Sequence, residues 1–387
     1  MGEVMNTKGK IFGFIVLGLL AIGLASYFLF PAKPVVIGFE LSEDELQAAK
    51  QLLLNYPAID VHAHPGRTFV KDAENLNWKL VLYKLQGTFE QDTIADMVNG
   101  GLSSSVFNGV ADFQLLSVTD QGLAATREYE PGEAWDSFQT QLTNINALQA
   151  HPQLEIAKTP ADILAVHANS HDENQTSALL AMEGADFLDT DITRVQSAYD
   201  AGVRMLTLMH YHNNSLGDIM TDSHLERGLT AFGKEVVQEM NRLGMMIDLA
   251  HASERTALEA INVSTKPVIL SHTHFNTPAL NHPRFVSKAL ALAVAETGGI
   301  IGAWPAGIGI ETLAEFIDRI EALINLVGED HVVLGSDMDA NYKPVFDNYR
   351  KLPWVVGALS QRGYSDLTIA KFIGGNFLRV MSAVQNK

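Results

Sequence analysis

Residues 228–251 read GLTAFGKEVVQEMNRLGMMIDLAH, and this stretch decides the fold class. Its first part, residues 228–244, has apolar residues at helical spacing and ends on a glycine, as helices often do. The part that follows, MMIDLAH at residues 245–251, is a short continuous apolar run, which is typical of a strand buried on both faces of a parallel sheet. A helix that leads directly into a buried strand is the repeating unit of an α/β barrel.

Eight runs of this kind occur along the chain. They are AIDVHAH (58–64), LSSSVFNG (102–109), ALLAMEG (178–184), VRMLTLMH (203–210), MMIDLAH (245–251), PVILSHTH (267–274), GIIGAWP (299–305) and HVVLGSD (331–337). Eight buried strands predict a closed (β/α)8 barrel, the TIM barrel of the α/β class, whose C-terminal strand ends surround one mouth. All runs except the second and the seventh end on or beside a residue that can bind a metal or a polar substrate group, so these residues are expected to share one pocket.

Length and composition limit the classes of function. The chain has 387 residues, which one large barrel can occupy, and a formal net charge of −18. This charge argues against a nucleic-acid partner, because phosphate binding needs a basic face. Cysteine is absent, which excludes disulfides, iron–sulfur clusters and thiol nucleophiles. Any metal must therefore be held by histidine and carboxylate side chains.

The N-terminus contains a long apolar segment, IFGFIVLGLLAIGLASYFLF at residues 11–30. Twenty helical residues span about 30 Å, the thickness of a bilayer core. Lys8 and Lys10 precede the segment, so the positive-inside rule places residues 1–10 in the cytoplasm and the rest of the chain outside, in the periplasm or the extracellular space. We predict an uncleaved transmembrane anchor. A cleaved signal peptide is the alternative, with a small-x-small pattern at residues 23–25.

Residues 31–41 carry two prolines and a glycine and are predicted to form a linker, followed by the catalytic barrel at residues 42–387. Ser42 and Glu45 form a capping-box pattern that begins a helix running to about Asn55. The polar stretch at residues 112–176 is expected to cover the barrel mouth.

The first and third runs carry candidate metal ligands. His62 and His64 are two residues apart in a strand, so both imidazoles face the same side and can bind one metal. Glu183 ends an apolar run, where an unpaired carboxylate costs several kcal/mol and requires a cationic partner. Arg204 is one candidate partner, and a pair of metals bridged by Glu183 is the other. No lysine occurs between residues 158 and 234, so a modified bridging lysine is excluded there.

Further candidate ligands follow the later strands. His251 and His272 can supply nitrogen ligands to a second metal. His274 is expected on the same side as His272, as a supporting group or a competing ligand. Asp337 can bind a metal and accept a proton from bound water, although a helix N-cap is an alternative role for Asp337 and equally for Asp339.

Two residues are candidates for contact with the substrate. His210 ends the fourth run, where it can donate a hydrogen bond to a developing oxyanion. Arg284, in the segment NHPRF, can bind a substrate carboxylate through its planar guanidinium. A solvated surface ion pair is the alternative for Arg284.

These segments resemble the membrane dipeptidase (renal dipeptidase) family of zinc peptidases, among the metal-dependent amidohydrolase barrels. The resemblance covers roughly residues 43–382 and is carried by AIDVHAHP, GGLSSSVFNG, AMEGAD, AGVRMLTLMHYHNN, GLTAFGKEVVQEMNRLGMMIDLAHAS, LSHTHF, NHPR, LGSDMDA and GGNFLRV. It implies hydrolysis of a dipeptide by a hydroxide that bridges two Zn²⁺ ions. A homodimer is a further expectation.

The resemblance also implies a role for each matching residue. One zinc would be held by His62, Glu183 and Asp337, and the other by Glu183, His251 and His272, with Glu183 as the bridge. Asp337 would also carry the proton of the nucleophilic water. His210 matches the histidine that contacts the substrate carbonyl, and Arg284 matches the residue that binds the terminal carboxylate of the dipeptide.

His64 departs from the family pattern, which usually reads His-x-Asp at the first strand. Two zinc ions with three carboxylates and one hydroxide would sum to zero charge, whereas two carboxylates leave about one net positive charge. We therefore expect a more acidic bound water and a changed preference for metal or substrate.

Two alternatives to a dipeptidase stay open. One is another hydrolase of the amidohydrolase type that acts on a lactone, a cyclic amide or an N-acyl amino acid. The other is a membrane-tethered barrel that binds a ligand without catalysis.

Overall fold

The computed structural model describes residues 34–386, apart from residues 121 and 223–224. The predicted cytoplasmic segment (1–10) and membrane anchor (11–30) lie outside the described residues. The strands are β1 (Ile59–Ala63), β2 (Ser104–Val110), β3 (Leu116–Thr119), β4 (Gly122–Ala125), β5 (Leu154–Ala157), β6 (Thr176–Glu183), β7 (Met205–Thr207), β8 (Met246–Asp248), β9 (Ile269–Thr273), β10 (Ile300–Ala303) and β11 (Val332–Leu334). The α-helices are α1 (Glu43–Asn55), α2 (Trp78–Leu85), α3 (Glu90–Gly100), α4 (Glu133–Ala147), α5 (Pro160–Glu173), α6 (Thr193–Asp200), α7 (Ala231–Leu243), α8 (Glu254–Val263), α9 (Lys288–Glu296), α10 (Leu313–Val327), α11 (Leu352–Gln361), α12 (Asp366–Ala370) and α13 (Asn376–Gln385).

Eight parallel strands close into a barrel, in the order β1-β2-β6-β7-β8-β9-β10-β11 and back to β1. Each of the eight apolar runs overlaps one of these strands, which confirms the predicted barrel. All residues of the eight strands are buried. This explains why they read as continuous apolar runs without alternation, since helices cover the outer face and side chains fill the inner face.

The stretch at residues 112–176 contains three strands that the apolar pattern did not predict. Strand β5 pairs with the N-terminal half of β6, outside the closed ring. Strands β3 and β4 form an antiparallel hairpin that lines the cleft at the barrel mouth. Helix α5, in contrast, contributes none of its described residues to that cleft. Only the first part of the stretch therefore covers the mouth as expected.

The opposite end of the barrel is closed by helix α13. Phe377, Val380 and Met381 on this helix are fully buried in one cluster with strand residues such as Ile59 and Val61. The helical segment Asp366–Gln385 is the one stretch among the described residues that is long and apolar enough to cross a membrane. Its burial in the barrel accounts for that apolar character.

Capping residues next to the helices determine where the helices begin and end. Ser42 Oγ accepts a hydrogen bond from Glu45 N at 3.2 Å, and Ser42 N donates to Glu45 Oε2 at 2.7 Å, so α1 begins with the predicted capping box. Helix α7 ends at Gly244, whose φ of 76° is a left-handed conformation that glycine adopts without strain. The described part of the predicted linker contacts the barrel body from Ile37 onward, where Ile37 O accepts from Ala314 N.

Candidate metal centre

A cleft of about 2040 Å³ opens at the C-terminal ends of the barrel strands. Its lining includes seven of the residues predicted to act in the site, namely His64, Glu183, His210, His251, His272, Arg284 and Asp337. The eighth, His62, is fully buried in β1 beneath the cleft. The topology therefore brings together residues that lie as much as 275 positions apart in the chain.

The Glu183 carboxylate lies at the centre of a cluster of imidazoles. Its Oε1 atom is 3.4 Å from His62 Nε2, 3.0 Å from His251 Nε2 and 3.6 Å from His272 Nε2. Its Oε2 atom is 3.4 Å from His64 Nε2. The guanidinium of Arg204, the other candidate partner, instead donates to Tyr199 O and contacts the Tyr199 ring. Glu183 thus faces histidines and makes no ion pair with arginine among the described residues.

Three groups of these side chains could each hold a metal ion, with ligand atoms within 4.8 Å of one another. They are His62 with Glu183 and His272, His62 with His64 and Asp337, and Glu183 with His210 and His251. The groups share members, so the six expected ligands and His210 form one continuous cluster, and none of the three groups coincides with either of the two overlapping sets implied by the family resemblance.

The chemistry of this cluster fits metal ions. Two pairs of imidazole nitrogens face each other, His62 Nε2 with His64 Nε2 at 3.2 Å and His251 Nε2 with His272 Nε2 at 3.0 Å. Glu183 Oε1 is buried and accepts no hydrogen bond from the described residues. Buried acceptor atoms that converge in this way favour cations. Arg284 Nη2 lies beside the second pair, and nitrogen with carboxylate oxygen is a ligand set suited to Zn²⁺.

A second layer of side chains orients the imidazoles. Ser271 Oγ lies 3.1 Å from His62 Nδ1 and 2.9 Å from His272 Nδ1, and it donates its own proton to Asp248 Oδ2 at 2.7 Å. Because the hydroxyl proton goes to Asp248, the oxygen is free to accept from both Nδ1–H groups. This leaves both Nε2 lone pairs facing the cluster. His64 Nδ1 similarly contacts a backbone oxygen, that of Asn108, at 3.1 Å.

Electrostatics distinguishes the histidines of the cluster. Burial and the charge of Arg284 hold the pKa of His251 well below its ordinary value, and burial is the main cause of the same lowering for the pKa of His272. Both rings are therefore neutral, the form that binds metal. At His64, burial opposes protonation, but Asp337 and Glu183 raise the pKa to about 10. The position of His64 in the cluster therefore strongly favours a positive charge.

His210 is held by a partner that the strand pattern did not reveal. Its Nδ1 atom lies 2.6 Å from Asp112 Oδ1, while its Nε2 atom is 3.4 Å from Glu183 Oε2. Asp112 is fully buried, and its other oxygen accepts from Tyr211 N at 2.8 Å. Asp112 follows β2 by two residues, so the second run, which carried no predicted site residue, supplies this group. The sequence signal that could have revealed Asp112 is a carboxylate just beyond a buried strand.

The seventh run also contributes. Trp304, one residue beyond β10, donates from Nε1 to Asp337 Oδ2 at 3.2 Å. The other oxygen of Asp337 lies 3.3 Å from His64 Nε2. Asp337 precedes no helix, so the alternative role as an N-cap does not apply.

Arg284 is buried beside the cluster, with 4% of its surface exposed. Its Nη2 atom lies 2.8 Å from His251 Nε2 and 3.0 Å from His272 Nε2, and the guanidinium lies between the rings of Tyr211 and Trp304. It forms no ion pair with any described carboxylate, and its Nε has no partner among the described residues. A buried guanidinium without an acidic partner is suited to bind an anionic ligand, so the surface-pair alternative is wrong.

Two candidates lie apart from the cluster. The ring of His274 packs against Phe275 and Phe285, and burial lowers its pKa to about 3. Strand β9 ends at Thr273, so the alternation that predicted a shared direction for His272 and His274 stops there. Asp339 caps no helix, because its Oδ2 accepts from Gly66 N at 2.6 Å and from Thr93 Oγ1 at 2.7 Å. It ties the loop after β1 to helix α3.

Comparison with known proteins assigns this site to a family. Residues 46–387 match the membrane dipeptidase family, peptidase family M19. The chain belongs to this family. Membership confirms the predicted enzyme class, a metal-dependent hydrolase of dipeptides, and makes a non-catalytic binding protein the weaker alternative.

Relatives within the membrane dipeptidase family are distant in sequence. Dipeptidase verJ of Clonostachys rogersoniana is 26% identical over 368 residues, which are 91% of this chain and 90% of that protein. Dipeptidase tcpJ of Claviceps purpurea is 31% identical over 243 residues, which are 60% of this chain and only 56% of that protein. The structure of the probable dipeptidase PvdM from Pseudomonas aeruginosa aligns with a TM-score of 0.71 at 20% identity, over 89% of this chain and 99% of that one. This last likeness shows the shared barrel fold.

Proposed function

We propose that this membrane dipeptidase family member cleaves dipeptides with two zinc ions held by the cluster around Glu183. The observation that carries the proposal is the burial of this carboxylate within 3.6 Å of the Nε2 atoms of five histidines. A buried carboxylate surrounded by so many imidazole nitrogens is suited to bridge two cations.

Six side chains are proposed as metal ligands. His62, Glu183 and Asp337 would hold one ion, and Glu183, His251 and His272 the other. His64 adds an imidazole at the position where the resemblance leads one to expect a carboxylate. Zinc bound here would lower the pKa of a shared water to about 7 and polarise the substrate carbonyl.

Three residues of the chain are proposed to act directly on the substrate. Asp337 accepts the proton of the attacking water and returns it to the leaving amine, with the carboxylate oriented by Trp304 Nε1. His210 donates from Nε2 to the oxyanion that forms on the carbonyl oxygen, because its Nδ1 is fixed by Asp112. Arg284 binds the C-terminal carboxylate, the anionic partner that it lacks among the described residues.

The location of the enzyme is a further part of the proposal. The apolar segment at residues 11–30 is long enough to span a bilayer, and the two lysines before it favour a cytoplasmic N-terminus. We therefore propose a membrane-anchored enzyme whose barrel (42–387) follows the linker (31–41) on the outer side, in the periplasm or the extracellular space. A homodimer stays a prediction.

Metal analysis combined with a substrate panel tests the proposal. The purified full chain should contain about two zinc ions and hydrolyse dipeptides, including dipeptides with a D-residue at the C-terminal position. The panel also contains lactones, cyclic amides and N-acyl amino acids, so that the alternative hydrolase classes are detected. Glu183→Gln should lose both metal and turnover, while Glu235→Gln, at an exposed position on α7, should lose neither. A metal content unaffected by Glu183→Gln would contradict the bridge.

A further inference from the structure

One wall of the cleft is apolar and is separate from the barrel core. Its buried members pack into a cluster of their own, outside the two clusters that fill and surround the barrel. The members that line the cleft are Phe69, Leu80, Val110, Phe113 and Leu116, with the partly buried Leu123 packed against them. We call this set the apolar wall. It is built by the segment between β1 and β2, including α2, and by the segment after β2, including the β3–β4 hairpin.

The apolar wall extends outward to an exposed rim. Leu82 and Val118 also line the cleft, and each is 48% exposed. Large apolar side chains around an open cleft mark a ligand-binding surface more often than a random part of the surface. The cleft volume of about 2040 Å³ also exceeds the roughly 300–1000 Å³ usual for small-molecule pockets, so a small dipeptide would leave much of it unfilled.

The apolar wall begins at the metal-ligand cluster. The ring of Phe69 lies edge to face with the ring of His64, with centroids 5.4 Å apart. No described hydrogen bond joins the two rings, so this side of the cluster presents hydrocarbon. A group attached close to the reacting carbonyl can therefore reach the wall without crossing a polar surface.

The order of the strands places the wall opposite Arg284. Arg284 lies between β9 and α9, and the apolar wall follows β1 and β2. In the closed ring β1-β2-β6-β7-β8-β9-β10-β11, strands β2 and β9 are four places apart, which is the maximum in an eight-stranded barrel. If the C-terminal carboxylate is bound by Arg284, the acyl side of the scissile amide points towards the apolar wall.

We infer that the apolar wall is a subsite for a large hydrophobic group on the acyl side of the scissile amide. This inference rests on the proposed function, because it uses Arg284 and the Glu183 cluster to orient the substrate. Two kinds of substrate present such a group: a dipeptide with a long apolar N-terminal side chain, and an N-acyl amino acid with an alkyl chain.

Two substrate series with the same C-terminal alanine test the inference. The first runs from glycyl- through norvalyl- to norleucyl-alanine, and the second from acetyl- to octanoyl-alanine. Burial of one methylene contributes a factor of about four, so kcat/KM should rise about fourfold per added carbon in at least one series until the wall is filled. A rise confined to the first series identifies the dipeptide side chain as the occupant, and a rise confined to the second identifies the acyl chain.

Three variants test whether the dependence of kcat/KM on chain length comes from the apolar wall. Leu123→Asp places a charge on the wall and should reduce the rise to less than about twofold per carbon, while Leu123→Met keeps an apolar side chain and should preserve it. Leu164→Asp, at a position on α5 that is 46% exposed and outside the cleft, should leave the rise unchanged. Wild-type values that do not depend on chain length, or a rise that Leu123→Asp leaves intact, would overturn the inference.

A binding measurement keeps the subsite testable if no substrate is cleaved. Analogues of both series with a methylene in place of the scissile carbonyl cannot be hydrolysed, and their Kd can be measured by calorimetry. The subsite predicts a Kd that falls about fourfold per carbon. Loss of turnover with this dependence retained would refute the proposed function alone, and a Kd independent of chain length would refute the subsite.

Discussion

Replacement of Asp112 by Asn tests whether His210 acts as an oxyanion donor. Asp112 Oδ1 and His210 Nδ1 are 2.6 Å apart and both side chains are buried. A hydrogen bond to a charged group contributes about 1.5–3 kcal/mol, so loss of the charge should lower kcat roughly 10- to 150-fold. The asparagine keeps the shape of the side chain and can still accept from Tyr211 N, so the fold should be retained.

The same variant should change the pH dependence. Burial opposes protonation of His210, but the charges of Asp112 and Glu183 raise its pKa above the ordinary value. Since Nδ1 donates to Asp112, Nε2 carries a proton only while the ring is charged, and activity is lost as the pH rises through that raised pKa. In Asp112→Asn the amide can donate to Nδ1, which leaves the remaining ring proton on Nε2. The variant should then keep its lower kcat on the basic side, where the wild type declines.

Steady-state kinetics from about pH 5 to 10 measures both effects. Asp186→Asn is the matched control, because Asp186 Oδ1 lies 2.6 Å from His212 Nδ1 in a parallel pair. His212 Nε2 contacts Glu128 and, unlike His210 Nε2, makes no contact with Glu183, so this control should change kcat by less than about threefold. Equal losses in the two variants, or a basic limb that Asp112→Asn does not alter, would refute the assignment of His210.

Three further predictions concern charge, substrate binding and stability. His64→Asp should keep two metals and move the acidic limb of the kcat/KM profile up by about one to two pH units, because an added negative charge disfavours ionisation of the bound water; an acidic limb at the wild-type pH would refute the effect of His64. Arg284→Ala should raise KM roughly 10- to 150-fold for dipeptides with a free C-terminal carboxylate and leave the corresponding dipeptide amides almost unaffected, and equal effects on both would remove the carboxylate-binding role. Phe377→Ala, in the helix that closes the barrel, should lower the free energy of unfolding in urea by about 3–5 kcal/mol without loss of metal at room temperature, and a loss below 1 kcal/mol would show that this helix contributes little.

The barrel and the identity of the cluster residues were predictable because both follow from strands buried on two faces. Such strands are continuous apolar runs, and a polar residue at the end of a run is conspicuous. The strands that the sequence did not predict are not continuous apolar runs. Strand β5 has an exposed and a partly buried residue between two buried ones, and the hairpin of β3 and β4 is largely exposed or partly buried, so neither forms a continuous apolar run.

The residues that orient the site were less predictable, because their roles depend on neighbours in other strands. Asp248 lies inside an apolar run, where the sequence indicates only a strand interior. In the structure it accepts hydrogen bonds from Thr207 on the preceding strand and from Ser271 on the following one. Parallel register sets these contacts, and a single sequence does not specify register in a barrel. His274 was misplaced for a related reason, since alternation does not continue past the end of β9.

Two of the proposed metal ligands at the open end of the barrel have an unusual backbone conformation. His251 and Asp337 have φ values of 67° and 55°, in the left-handed region that non-glycine side chains adopt at some cost. Each lies three residues beyond the end of its strand, β8 for His251 and β11 for Asp337. Such conformations persist only where the surrounding structure enforces them, and they concentrate at functional sites. Asp337 N donates to His62 O at 2.8 Å, and His251 O accepts from Met220 N at 2.7 Å, so neighbouring segments hold both backbones. Contacts with neighbouring strands and loops therefore allow the open end to hold these two ligands in conformations that local preference would not select.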